Sequence, residues 1–310
     1  MHADDKPITS LTSLSRHAAR GRVLVRPRPL FFVRAPASRQ LPPSDELDVY
    51  LQRWLMQELN GWVQLVVLEL LADGSVEWIA DAVHGAVTDA GQRLIAVRCV
   101  DRRGPRRPGL WAALSVATAL AELHDGVVVD PRRSLEVFGD RKPLRPPADA
   151  RVRTVDHLCV PSSRGLARRR WLSTVGMAQF GMPDLELVEV PESVTQIGAR
   201  LLLGVAQHLI DSSWTPPRPG DHPREALLTI GELHWALGGE AGSIPYTRGR
   251  GWTRVAIELD AGRAWPELLR VGPPLGARSW RDPGAWIRDA WADLFGPPPT
   301  NAAVMRATGS

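Results

Sequence analysis

"RRRWLSTVGMAQFGMPDLELVEVPE", residues Arg168 to Glu192, decides how this chain is read. A basic run and a Trp lead into two Gly-Met steps, then Pro183-Asp184, then an alternating run. Gly176 and Gly181 suit backbone shapes closed to other residues, so one of them is expected at positive φ. Pro183 fixes its own φ and helps to turn the chain. "LELVEV" alternates with period two, so Leu185, Leu187 and Val190 or their neighbours can face a core. The stretch is therefore expected to be a corner between two strands.

Working outward, the run "ESVTQIGARLLLGVAQHLID" predicts a helix with Val194, Ile197, Leu201, Val205 and Leu209 on one face. Upstream, "RVRTVDHLCV" reads as a strand. Two breaks rich in Pro and charge bound this region, residues 139–150 and 211–225. Before the first break come a strand, "RPLFFVRAP", and a helix, "PPSDELDVYLQRWLMQELNG", capped by Ser44 and closed by Asn60-Gly61. Two apolar runs around Asp73-Gly74 predict a hairpin. "RLIAVRCVD" is a further strand, and "LWAALSVATALAELHDG" is a helix apolar almost all round, with Ser115, Thr118 and Glu122 as its polar edge. After the second break, "GWTRVAIELD" is strand-like. "DPGAWIRDAWADLFG" is a helix with Asp282 as cap, Pro283 in its first turn and Gly296 at its end.

An internal echo organises these elements. Setting Leu94 on Leu185 brings Gly85 onto Gly176, Val97 onto Val188 and Cys99 onto Val190, and a long apolar helix follows each run. The expected fold is α+β: two related mixed-sheet-plus-helix units and a smaller C-terminal α/β module. Its parts are a flexible arm (1–29), a first unit (30–138), a second unit (151–212), the C-terminal module (225–296) and a disordered tail (297–310).

The pattern Trp171-Leu172-x-Thr174-x-Gly176-Met177-x-x-Phe180-Gly181-x-Pro183-Asp184, followed by an alternating strand, resembles a motif of bacterial domains of unknown function. Those domains are grouped with the suppressor-of-fused-like proteins. The resemblance covers residues 168–212, and Asp184 stands where the motif leads one to expect Glu. It implies a mixed α/β domain with interaction, immunity or defence contexts, and it carries no catalytic residue across.

Composition narrows the function classes. The chain has 310 residues, 44% of them hydrophobic, and a net charge of +4. Lys6 and Lys142 are its only lysines, an Arg bias of the kind a GC-rich bacterial genome imposes. No apolar run reaches the roughly 18 residues that a membrane span needs, and the N-terminus lacks the apolar stretch of a secretory signal. A cytoplasmic location with no membrane partner is the expectation. The two cysteines, Cys99 and Cys159, lie far apart in apolar runs and read as small buried hydrophobes rather than a disulfide or zinc pair.

Candidate chemistry is weak one motif at a time. Asp156, His157 and Cys159 hold a thiol, a base and an acid, but in a strand the Asp would face away from the other two. His84, His124, His208 and His234 stand singly in apolar surroundings, so no metal is expected. Asp130 ends "GVVVD", where a turn before Pro131 explains it. "YTRGRGWTR" places Arg248, Arg250 and Arg254 among glycines without a phosphate-loop spacing, and no cofactor is expected. Arginines cluster in predicted loops: Arg102, Arg103, Arg106 and Arg107; Arg132 and Arg133; Arg164, Arg168, Arg169 and Arg170. Only Trp111 and Trp171 lie near them to stack on bases. Twelve Trp stand against two Tyr. Those expected in loops, Trp214, Trp252, Trp265 and Trp280, have the chemistry of interface anchors when Arg is beside them.

These features point first to a non-enzymatic bacterial binding or adaptor protein whose partner is another protein. Its expected interaction residues are Arg168, Arg169, Arg170, Trp171, Arg102, Arg103, Arg106, Arg107 and Trp252. The alternatives are a hydrolase with a site assembled from distant residues, and a nucleic-acid-binding protein using the Arg loops.

Overall fold

The computed structural model describes residues 29–36, 76–80, 92–101, 106–130, 135–136, 151–165, 168–212, 214, 221–239, 248–259, 268–277 and 282–296, with Glu46, Leu47, Val49, Leu51, Arg53 and Glu69 besides. The protein is α+β and divides into two compact units, Met1–Val152 with Ala178–Met182, and Arg153–Met177 with Pro183–Ser310. The expected arm (1–29) and tail (297–310) lie almost wholly outside the described residues, as do Gly85, Arg102 and Arg103.

The first unit holds a five-stranded antiparallel sheet in the order β2-β3-β1-β4-β5: β1 Leu30–Pro36, β2 Val76–Ala80, β3 Gln92–Cys99, β4 Val127–Asp130 and β5 Leu135–Glu136. Helix α1, Pro108–Leu123, follows β3. Ile95, Val97 and Cys99 alternate into the core, as their period requires. Helix α1 is buried on nearly every side, so Ser115 and Thr118 do not form the expected polar edge. Their hydroxyls donate instead to the carbonyls of Trp111 and Leu114 one turn back, which satisfies them in place. Glu122 alone of the three is exposed. The N-terminus of α1 is capped from a distance. Asp101 accepts from the amides of Gly109 (2.8 Å) and Leu110 (3.2 Å), and a Cβ at Gly109 would press within 2.7 Å of it.

Glu46, Leu47, Val49, Leu51 and Arg53 are helical, with Leu47 and Leu51 buried, while Trp54 is not described. The hairpin expected around Asp73-Gly74 lies mostly outside the described residues; Glu69, in its first run, is helical, and β2, in its second, pairs with β3. An apolar run of that length satisfies either period, and tertiary pairing decides between them.

The second unit holds a six-stranded mixed sheet in the order β6-β7-β8-β11-β10-β9: β6 Ser162–Arg164, β7 Arg169–Ser173, β8 Asp184–Pro191, β9 Arg224–Thr229, β10 Trp252–Leu259 and β11 Leu268–Gly272. β8 and β11 pair in parallel and the other neighbours are antiparallel. Residues 151–212 and 225–296, expected as separate parts, thus contribute strands to one sheet. Among the described residues the unit also holds four α-helices: α2 Thr154–His157, α3 Thr195–Asp211, α4 Ile230–Ala236 and α5 Pro283–Phe295. The last is capped as its sequence predicts, Asp282 accepting from the Ala285 amide. β3 and β8, which the expected echo aligns, each close an antiparallel pair and each precede a helix. Their other neighbours differ, antiparallel β1 against parallel β11.

"RVRTVDHLCV" is not a strand. Thr154–His157 is a helical turn, held by Thr154, whose amide donates to Gln207 Oε1 and whose hydroxyl donates to the Leu203 carbonyl. His157 is buried inside the turn, and Cys159 joins only an isolated bridge to Val175. Cys99 is buried as expected, but Cys159 is half-buried.

Candidate functional site

The opening stretch is a corner, and its residues explain it. β7 ends at Ser173, a short 3-10 turn spans Met177–Phe180, and β8 starts at Asp184. Gly176 has φ 121° and Gly181 φ 71°, both in the region that favours glycine. Asp184 Oδ1 accepts from Thr174 Oγ1 (3.1 Å) and the Met177 amide (3.0 Å), and Thr174 Oγ1 accepts from the Leu185 amide (2.7 Å). A carboxylate on a short stem suits this tight knot. Leu185, Leu187 and Val190 are all buried. The step of three between the last two is a bulge: Leu172 opposes Leu187 and Arg170 opposes Val190, with Glu189 at φ 55°.

The two faces of the six-stranded sheet follow from these registers. A Cβ on Gly198 of α3 would meet Leu172, Leu187 and Ile287, and one on Gly204 would meet Leu228 and Leu233. Leu172, Leu187 and Leu228 therefore face the helices. By alternation Trp171, Glu186 and Leu227 point the other way. Cross-strand pairing adds Trp252, Arg254, Ala256 and Glu258 of β10 and Arg270 and Gly272 of β11 to that second face.

A polar ladder crosses the second face. Glu186 is fully buried; its Oε2 accepts from the Trp171 indole (3.0 Å) and its Oε1 from Arg270 Nε (3.2 Å). Arg270 then reaches Glu258 at 4.0 Å. A buried carboxylate needs such donors. Beyond the ladder, near β9, the face changes character. Leu227 is 46% exposed and Trp252 37%, on adjacent strands at a diagonal that long side chains span. Leu275 is 60% exposed, and its amide donates to Glu225 Oε1 (2.9 Å), which brings it to the same edge. Arg250 lies over the Trp252 ring at 5.8 Å and Arg254 stands opposite Leu227. Between them the floor is Ala256 and Gly272, and a Cβ on Gly272 would meet nothing within 4 Å.

The expected interaction residues separate on this map. Trp171 is on the second face, and its indole N–H is engaged by Glu186. Arg169 pairs with Glu189 at 3.6 Å and Arg170 with Glu192. The Arg170 hydrogen bond, then its charge and those of Arg168 and Arg164, hold the Glu192 carboxyl below the usual carboxylate range. Arg168 is exposed at φ 58°. In the first unit Arg106 is exposed, whereas Arg107 is buried at the start of α1 with its guanidinium over Phe180, 5.5 Å from the ring centre. Trp111 is buried too, which removes it as a stacking partner. Trp252 lies in β10 rather than in a loop, and it remains part of the patch. Leu227, Leu275 and Gly272 carry little signal in the sequence; the cue is the two adjacent Leu of "EALLTI", which alternation sends to opposite faces of the strand.

One further polar site joins α3 to α4. His208 Nδ1 and Glu232 Oε1 are 2.8 Å apart, and Glu232 also closes a capping box with Thr229. Burial works to raise the Glu232 pKa, but the bonds from His208 and Thr229 outweigh it and the carboxyl is held below its ordinary value. His208 is thus a joint between helices. Asp156 is tied to Arg153 at 2.8 Å, and Asp130 is buried at the end of β4. Among the described residues no three His, Cys, Asp or Glu side chains gather, and no helix is long and apolar enough to cross a membrane. No family model, curated protein or solved structure matches the chain.

Proposed function

We propose that the chain is a non-enzymatic binding or adaptor protein of a bacterial cytoplasm and that it takes a partner protein on the second face of its six-stranded sheet. One observation carries this reading: Leu227, Trp252 and Leu275, three large apolar side chains exposed in the second unit, gather at one edge of that face with arginines around them. Apolar side chains scattered singly are ordinary, but a rimmed cluster marks an interaction site. Trp and Arg together are the side chains that dominate interface energetics. The motif resemblance adds an immunity or defence setting to the proposal.

The test is a photo-crosslinking amino acid placed at Leu227 in cells of the source bacterium, with Glu189 as the control position. A protein adduct is expected from position 227, absent from 189 and suppressed by Gly272→Gln, which fills the floor. No adduct above the control, or an adduct made of nucleic acid, overturns the reading.

A further inference from the structure

Resting on that reading, we infer that the segment this patch receives is acidic and presents one large apolar side chain. The charges on the face are unequally engaged. Its acids are answered within the protein: Glu186 by Trp171 and Arg270, Glu258 by Arg270, and Glu225 by the Leu275 amide. Its cations near the apolar cluster are not. Arg254 is exposed and makes no ion pair or hydrogen bond among the described residues. Among the described residues Arg250 meets one acid, Asp293 at 3.7 Å, with side chains 67% and 38% exposed, a pairing that solvent screens almost fully. Arg248 is exposed beside it. A partner that brings carboxylates to Arg254 and Arg250 meets charge complementarity.

The shape asks for an apolar knob as well. Ala256 and Gly272 form a floor with free space above Gly272, and Leu227 and Leu275 stand at its β9 side. A Leu, Ile, Phe or Trp side chain seated there would cover all three exposed apolar residues at once. Single-stranded nucleic acid has phosphates for the arginines, yet it fits less well. Bases need aromatic platforms. Here Arg250 already lies over Trp252, and Leu227 and Leu275 offer no ring.

Phage display of random peptides on the full-length protein tests this, followed by anisotropy with the selected sequences as synthetic peptides and with labelled oligo-dT. The expected result is enrichment of Asp and Glu next to a large apolar residue. Binding should weaken about tenfold on Arg254→Glu and fall as salt is added, because exposed charges carry it. An unchanged melting temperature shows that the variant is folded. Basic or uncharged sequences, no selected sequences at all, indifference to Arg254→Glu, or oligo-dT binding in their place would each overturn the inference. A protein adduct at Leu227 together with basic or uncharged peptides removes the acidic partner but leaves the binding role. Absence of the adduct removes the role itself.

Discussion

The two faces of the six-stranded sheet are built from the same strands and differ in what their side chains do. On the covered face Leu172, Leu187, Val190, Leu228 and Ile257 are buried, closed over by helices that approach through Gly198 and Gly204. On the opposite face a buried acid, Glu186, is held by Trp171 and Arg270, and beyond it Leu227, Trp252, Leu275 and Arg254 are exposed. One face shows what stability demands. The other carries exposed apolar side chains and Arg254 beyond the ladder, the residues proposed above to receive a partner.

The comparison breaks first if the covered face is not a true core. Leu187→Ala should cost about 2–5 kcal/mol, the range for deleting a buried Leu side chain that its surroundings cannot replace. Urea denaturation reads this directly, and a loss under about 1 kcal/mol would contradict the packing.

Next is the ladder. Glu186→Ala removes the acceptor of two donors at once and should cost about 2 kcal/mol, less than a fully buried ion pair because Arg270 is partly exposed and can rehydrate. Glu186→Gln, which keeps an acceptor, should lose less. Equal losses for the two would mean that the ladder contributes nothing specific.

Two glycines sharpen the contrast further. Gly176 sits at φ 121°, so Gly176→Ala should cost about 1–2 kcal/mol through backbone strain. Gly272→Ala meets open space and should leave the melting temperature nearly unchanged. Similar shifts at both positions would refute the account of the corner.

The joint on the covered side is sensitive to pH. Because the folded pKa of Glu232 is lowered, its stabilisation is present above the ordinary carboxylate range and is lost as pH falls through the folded value. Glu232→Gln should therefore cost about 1 kcal/mol near neutrality. The gap from the parent should close on acidification. Melting curves across the acid range would show a constant gap if the carboxylate were not the cause.

The smallest effect on stability belongs to the patch. Leu227→Ser should stay within about 0.5 kcal/mol of the parent, as surface changes do. The same substitution should sharply reduce photo-crosslinking from a neighbouring position such as Arg254. A large loss of stability would make Leu227 a structural residue and return the patch to the fold.

Local physics made much of this legible in the sequence. The corner was readable because Gly176, Gly181, Pro183 and Asp184 act over a few bonds, and the C-terminal helix because Asp282, Pro283 and Gly296 mark its ends. The apolar stripe from Val194 to Leu209 named the helix that covers the sheet. What the chain does not state locally is pairing. "RVRTVDHLCV" looked like a strand until Thr154 found Gln207 and Leu203, residues of a helix some fifty positions on. Arg169 and Arg170 carry no local sign of a partner, yet a bulge in β8 and the following turn bring Glu189 and Glu192 against them.

By itself the sequence determined the α+β class, the corner, the punctuation of the long helices and the presence of Trp252 among arginines, because each rests on periodicity or on neighbours in the chain. Only the tertiary structure decided that residues 151–212 and 225–296 share one sheet, that Glu186 is answered by Arg270, and that Leu227, Trp252 and Leu275 meet at one edge. The reason is the period of a strand. Alternation says that successive side chains take opposite faces, but the partners across the sheet, and whether a helix covers a given face, are set by contacts between segments far apart in the chain.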